Sequence, residues 1–412
     1  MNFIESPNLE EQKNTIYAKE MSLVCILLFI FWSRKSVLNY FFGWLSHIPY
    51  IGSYGEKVFL IFIIVCILAS LKLITSKIRK NDIIFVLIFA SLYIVSFLYS
   101  GNAVFLTKHM PILAFEVLPA YFLGLTINLN FYFKFLSFKK SVFDWLYFLS
   151  ILSILTAMLY YIYFISTRTA GTDVGEWSTI LIPSTIMCIC FSFRKKNKFI
   201  PVLFTLFAIS LLLIYGTRMA LVCAFVGFIF YLFKYNKRTT GIILLFSFCF
   251  FVIFQDYIFQ GVTQLKTLFI NYHLNTRILD FMLSNDLHIE ARNEFFQNSL
   301  VFIGRQPIIG YGLMGDRVLF GGYQEYAHNL FLEIFLDFGI FIGTFVLLVI
   351  GYTLVKGFHS MKNDADTRDL FILLFSYEIV NLMMSGSYLS DKFLFLLFGI
   401  CVNAIRRKKE SI

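Results

Sequence analysis

Long apolar runs separated by short polar segments dominate this 412-residue chain. Runs able to cross, or nearly cross, the ~30 Å hydrocarbon layer of a bilayer fall at 21–33, 57–74, 83–99, 109–125, 143–165, 177–193, 199–215, 219–233, 241–256, 328–355, 369–386 and 392–405. Inside hydrocarbon such runs satisfy their own backbone polar groups only as helices. The pattern predicts an all-α, polytopic integral membrane protein with about twelve transmembrane helices. One stretch, 257–327, contains no membrane-length run. The expected organisation is therefore helices 1–9 within 1–256, a large extramembrane loop between helices 9 and 10 over 257–327, and helices 10–12 with a basic tail over 328–412. Within the loop, "HLNTRILDFMLS" and "IEARNEFFQNSLVFIG" read as short amphipathic helices, followed by a Gly-rich approach to the tenth run. A loop of this length with amphipathic content usually carries function.

Composition agrees and removes several alternatives. The chain is 58% hydrophobic and 19% aromatic, with mean hydropathy +0.76, against about 45–50% apolar residues in soluble domains. All seven cysteines (25, 66, 188, 190, 223, 249 and 401) lie in apolar segments, so neither a disulfide framework nor a thiolate metal site is expected. Cys188 and Cys190 read as packing residues. The polar first twenty residues, with four Glu, precede an apolar run without an A-x-A-like site. A retained membrane anchor is expected there, not a cleaved leader.

Charge sets the orientation. With the first residues placed in the cytoplasm, 23 Lys and Arg fall on the inner side and 12 on the outer, five of those within the long loop. The positive-inside rule then predicts both termini in the cytoplasm and 257–327 in the periplasm. Arg34 and Lys35 are the main misfits. The cation types also differ: the inner side has 17 Lys to 6 Arg, the outer side 7 Arg to 5 Lys. Arginine is preferred where a planar fork must hold phosphate oxygens. Five of the six His (47, 109, 273, 288 and 328) also fall outside.

Individual residues then draw attention. Arg218, in "IYGTRMALVCAF", ends a tight hairpin at the outer surface, where it either snorkels to lipid phosphate or faces a wet cavity. Arg292 opens an amphipathic segment, and Arg305 precedes a Pro-Ile-Ile-Gly turn. Each alone reads as an ordinary loop charge. Gly310, Gly312, Gly315, Gly321 and Gly322 allow close backbone approach or merely turns. His328 and Asn329 stand at the start of the tenth run.

The order and spacing carry more than any one residue. "GTRMAL", "RNEFFQNSLVFIGRQPIIGYG" and "AHNLFLEIFLDFGIFIG" together resemble the O-antigen polymerase and O-antigen ligase superfamily, bacterial membrane glycosyltransferases of GT-C-like architecture. The motif-bearing part covers about 210–345. Thr217 departs from the Ser that the family more often has there, but keeps the hydroxyl.

The resemblance implies a glycan donor on undecaprenyl pyrophosphate, met at the outer face of the bacterial inner membrane by an acceptor hydroxyl that attacks the anomeric carbon. Arg218, Arg292 and Arg305 would then bind pyrophosphate, supplying fixed positive charge where the leaving group develops negative charge. His328, with an unperturbed pKa near ~6.5, would act as the base. Asn329, Tyr311 and Glu325 would contact sugar. On the outer side no DxD or similar carboxylate cluster points to a divalent ion, so a metal-independent glycosyltransferase without cofactor is expected. Its partners would be the lipid-linked donor and acceptor, membrane lipid, a chain-length regulator and a flippase, with no nucleic acid. The Phe-rich sequence is more like polymerases, which join repeat units into O-antigen or capsular polysaccharide, than ligases, which transfer the glycan to lipid A-core. A flippase for lipid-linked oligosaccharide is the rival from another class. It would need ionisable residues lining a path through the bilayer, and the apolar runs show few such residues, among them Lys72, Glu116 and Glu378.

Overall fold

A computed structural model describes residues 74–98, 101–127, 129, 132–135, 138–167, 174–215, 218–235, 237–271, 290–322, 326–384 and 386–410, with isolated positions at 28, 68, 279 and 283. The first two apolar runs, Lys72, the loop segment "HLNTRILDFMLS" and Glu325 lie outside the described residues.

From residue 83 onward every apolar run forms a helix. They are α1 (Lys80–Phe97), α2 (Asn102–Thr126), α3 (Val142–Thr167), α4 (Val174–Arg194), α5 (Phe199–Tyr215), α6 (Arg218–Tyr235) and α7 (Lys237–Asn271). After the loop helices α8 (Glu290–Arg305) and α9 (Gly315–Phe320) come α10 (Leu330–Ser360), α11 (Ala365–Met384) and α12 (Lys392–Glu410). Among the described residues, five helices are long and apolar enough to span a membrane, and two shorter apolar ones accompany them. The protein is a polytopic α-helical membrane protein. One departure from all-α is a small antiparallel hairpin, Tyr132–Phe135 with Phe138–Ser141, whose register pairs Tyr132 with Ser141. Its short strands, made of aromatic residues and lysines with a final serine, join α2 to α3.

α7 runs past the apolar run at 241–256 to Asn271. At ~1.5 Å per residue the helix carries the chain about 20 Å further before the loop begins. α2 changes pitch at Leu113–Val117, a wider π-helical turn just after Pro111. Proline has no N–H to give to the preceding turn, which permits that slip.

Two apolar cores hold the bundle. One joins α3, α4, α5, α6 and α11, with Phe143, Phe191, Leu212 and Leu373 buried. The second joins α1, α2, α10 and α12, and it takes in Leu313 and Met314 from the loop. α8 covers the first turns of α10 through Ile303, Leu332 and Leu336. Cys188, Cys190, Cys223 and Cys401 are buried free thiols, as their apolar setting predicts.

Helices α4, α6 and α11 end together at the pole that carries the basic segments. Arg194 pairs with Asp366 (2.5 Å) and Asp369 (3.0 Å), and Lys234 also pairs with Asp369. Arg406 of α12 reaches Asp82 of α1 (2.6 Å), which also accepts from Tyr121 Oη (2.8 Å). Opposite this basic end is the loop end.

Candidate active site at the loop end

The loop end is built around a break in α10. Gly339 has φ +73°, splitting the helix into a short first leg and a long second one. A break leaves backbone groups without their helical partners, and the Gly-rich loop supplies replacements. Tyr311 N donates to Leu336 O (2.7 Å), Gly312 N to Asp337 O (2.9 Å), and Ile340 N to Pro307 O (2.7 Å). A Cβ on Gly310 would stand 2.5 Å from Gly339 N, and one on Gly339 2.5 Å from Ile308 O. The "PIIGYG" stretch thus approaches its own helix. Asn102 Nδ2 then donates to Tyr311 O (2.9 Å) and Leu313 O (3.1 Å), and Leu313 N donates to Ser96 Oγ (2.9 Å). These bonds fix the end of the loop to α1 and α2.

Beneath this seam lies a buried polar cluster. Arg317 of α9 donates through Nη1 to Asp316 Oδ1 (2.6 Å) and Glu333 Oε1 (2.8 Å), and through Nη2 to Ser387 Oγ (2.7 Å). Ser387 Oγ and Tyr388 N both donate to Glu333, and Tyr388 Oη donates to Asp337 Oδ2 (2.6 Å). Arg317, Asp316, Glu333 and Asp337 are each no more than 3% exposed. Burial works against the Arg317 charge, but the carboxylates of Asp316 and Glu333 hold its pKa above the ordinary arginine value. Nearby, Glu378 is buried on α11, and Asp391 accepts from Asn381 Nδ2 (2.5 Å).

This cluster was not anticipated from the sequence. Glu333 and Asp337 stand one turn apart inside the tenth apolar run, so that both fall on one face. That spacing was the available signal. Glu116, in the π-helical turn within α2, stands 3.8 Å from Lys392.

His328 is connected to the cluster through an aromatic ring. The Arg317 guanidinium lies 4.7 Å from the Tyr326 ring centroid, and the Tyr326 and His328 rings are 4.1 Å apart. Phe295 of α8 meets His328 edge-on at 6.2 Å and Phe320 at 4.9 Å. Burial pushes the Tyr326 hydroxyl up to about 12, so it remains a phenol. His328 has φ +49°, in the left-handed region that non-glycine residues occupy at a cost of order 1–3 kcal/mol. Histidine tolerates it better than β-branched residues do. A strained imidazole held between the Tyr326 and Phe295 rings fits a group whose position matters more than the stability of its turn.

The other sequence candidates fall into distinct places. Arg292 is in the first turn of α8, one turn before Phe295. Arg305 closes the same helix, thirteen residues on, or about 20 Å along the axis. It is exposed, with its guanidinium 5.5 Å from the Phe302 ring centroid. Asn329 caps α10: its Oδ1 accepts from Phe331 N (3.0 Å) and Leu332 N (3.3 Å). Tyr311 Oη donates to Phe302 O (3.0 Å), bridging the motif turn to α8.

Arg218 begins α6, half-buried. The register of α6 on α11 is set by Tyr231 Oη to Asp369 O (2.7 Å) and Cys223 Sγ to Tyr377 O (3.8 Å). Eight residues along one helix match eight back along the other, so the pair is antiparallel. Continued for five residues, that register levels Arg218 with Leu382, beside the α11–α12 turn that supplies Ser387 and Tyr388. α6, α8, α9, α10 and the α11–α12 turn thus converge on the loop end.

No curated protein matches the chain. Residues 202–348, which include Arg218, all of α8 and α9 and the His328–Asn329 pair, match the family described as O-antigen ligase. That match supports kinship of this stretch with the O-antigen polymerase and ligase superfamily, and the apolar helices make the protein a multi-pass membrane protein.

Proposed function

We propose that the protein polymerises undecaprenyl-pyrophosphate-linked oligosaccharide repeat units into O-antigen or capsular polysaccharide at the outer face of the bacterial inner membrane. The observation that carries this reading is the convergence on one pole of His328 and the helix ends bearing Arg218 and Arg292, within the family-matching stretch. In the step envisaged, an acceptor sugar hydroxyl attacks the anomeric carbon of the donor. The new C–O bond forms as the bond to pyrophosphate breaks, and its electron pair leaves with the phosphate oxygen. Arg218 and Arg292 stabilise that developing charge, while the hydroxyl proton passes to the His328 imidazole. The Arg317 cluster and Tyr326 orient His328 and contact no substrate. Arg305, at the far end of α8, serves better as a contact for a second lipid-linked chain than as a third ligand to the same pyrophosphate. Asn329 acts first as the α10 cap, and Glu325 and Tyr311 remain candidate sugar contacts from the loop.

The name of the matching family favours a second reading, in which the acceptor is lipid A-core. A flippase draws no support from candidate site residues that gather at one pole.

The test uses purified full-length protein with lipid-linked repeat units, alone and with lipid A-core. A polymer ladder from repeat units alone is expected. Transfer only to lipid A-core replaces polymerase by ligase. Arg218→Lys and His328→Ala are each expected to cut turnover more than about 100-fold, the scale of a lost charge clamp or general base. Near wild-type turnover by either variant removes that residue from the chemistry.

A further inference from the structure

The basic end contains a crevice that glycan transfer at the opposite pole does not use. It opens between α6, α10 and α11, with a volume of about 540 Å³. Its walls are apolar and largely aromatic: Phe230 and Phe233 of α6, Leu354 and Phe358 of α10, and Phe371 and Phe375 of α11. Around the mouth stand Lys234, Lys237, His359 and Arg368.

In a membrane, an open crevice between helices does not stay empty, because a lipid chain fills it. The walls would accept any acyl chain, so the rim decides which lipid stays. Lys234 is committed to Asp369. Lys237 is exposed and, among the described residues, makes no ion pair. Arg368 is half-buried, and its Nε has no hydrogen-bond partner among the described residues. Among the described residues no carboxylate lines the crevice, and the nearby Asp366 and Asp369 already face Arg194 and Lys234. The field at the mouth is therefore positive, and the planar fork of the Arg368 guanidinium suits a phosphate oxygen.

We propose that this crevice binds an anionic phospholipid, with its phosphate between Arg368 and Lys237 and an acyl chain along the phenylalanine walls. Basic pockets between helices at the headgroup level are suited to such lipids. The site stands about 27 Å from Arg218, the length of α6 at ~1.5 Å per residue. It ties together α6, α10 and α11, the three helices that also carry Arg218, the Glu333–Asp337 face and the Ser387 turn.

Full-length protein in detergent is titrated with dioleoylphosphatidylglycerol and, separately, dioleoylphosphatidylcholine, with bound lipid counted by native mass spectrometry. Roughly tenfold tighter binding of the anionic lipid is expected. Arg368→Gln combined with Lys237→Gln should bring the two lipids to parity. Val355→Trp, which fills the crevice from an exposed position, should weaken phosphatidylglycerol binding without removing a charge. If the double variant fails to fold, Lys237→Gln alone, at an exposed site, must still cut the preference about two- to threefold. Equal binding of both lipids by the unaltered protein overturns the proposal, as does a preference that survives the charge substitutions. Displacement of phosphatidylglycerol by a tenfold lower concentration of undecaprenyl phosphate also overturns it, by giving the crevice to the glycan carrier.

Discussion

The two poles of the helical bundle use charge in opposite proportions. At the basic end, cations match or outnumber the carboxylates they meet: Asp369 has both Arg194 and Lys234, and Asp82 and Asp364 have Arg406 and Arg407. Several of those cations are partly solvated, Arg407 being 39% exposed. At the loop end, one guanidinium, Arg317, sits among Asp316, Glu333 and Asp337, all buried. The first arrangement fastens helix ends at a headgroup surface. The second is expensive to assemble, since each buried ion must be repaid by its partners. Such a cluster persists where fixed geometry is worth the cost, and its neighbour through Tyr326 is His328.

The largest expected effect comes from removing the guanidinium. Arg317→Met keeps bulk but leaves Asp316 and Glu333 facing each other without their cation. Breaking a buried pair in this way costs about 3–5 kcal/mol. Thermal unfolding in detergent should show a marked loss of stability, or no folded protein. A variant as stable as the parent would mean that the cluster is not a structural keystone, and the contrast between the poles would collapse.

Next in size is Gly339→Ala. The new methyl group meets Ile308 O at a separation of 2.5 Å, and φ +73° is unfavourable for alanine. Strain of this kind costs of order 1–3 kcal/mol, and relief would push the 307–312 turn off α10. We expect faster proteolysis in 306–322 and weaker transfer activity. A variant that regularises α10 without loosening that segment would show that the turn docks independently of the break.

Sequence reading recovered the described helices because their signal is local. A run such as "FIPVLFTLFAISLLLIY" specifies a helix in lipid whatever surrounds it, and α5 follows it from Phe199 to Tyr215. The turn at 307–312 was visible as glycines, but its partner was not, since the hydrogen bonds run to carbonyls 25 residues on. The ion cluster was harder still. Its members come from α9, α10 and the α11–α12 turn, so their encounter depends on packing. Asp316 and Arg317 lie in the Gly-rich approach to the tenth run, where no spacing singles them out. The roles given to His328, Arg218 and Arg292 came from a motif pattern, and the structure adds their common pole.

Asn329 gives a smaller and sharper test, because its cap role and its expected sugar contact call for different atoms. Asn329→Ala removes the acceptor for Phe331 N and Leu332 N, at a cost of about 1 kcal/mol. Asn329→Asp keeps the acceptor, and its negative charge suits a helix N-terminus. Equal stability of Asp variant and parent is expected. If activity also survives in the Asp variant, the side chain acts through the cap. Loss of turnover at unchanged stability would instead require the amide NH₂ at the substrate.

The smallest effect belongs to the basic end. Arg407 pairs with Asp364 at 3.4 Å, with both side chains partly exposed. A solvated pair is worth roughly 0–1 kcal/mol and weakens with salt. Arg407→Gln should therefore shift the unfolding temperature slightly at low ionic strength, and by less still in about 0.5 M salt, where exposed charges are strongly screened. Transfer activity should be unchanged, because no described contact leads from this pair to the loop end. A loss of stability approaching that of Arg317→Met would mean that the basic end is as tightly interlocked as the loop end. The two poles would then differ in charge balance alone, and the link between a buried ion cluster and a positioned histidine would lose its physical basis.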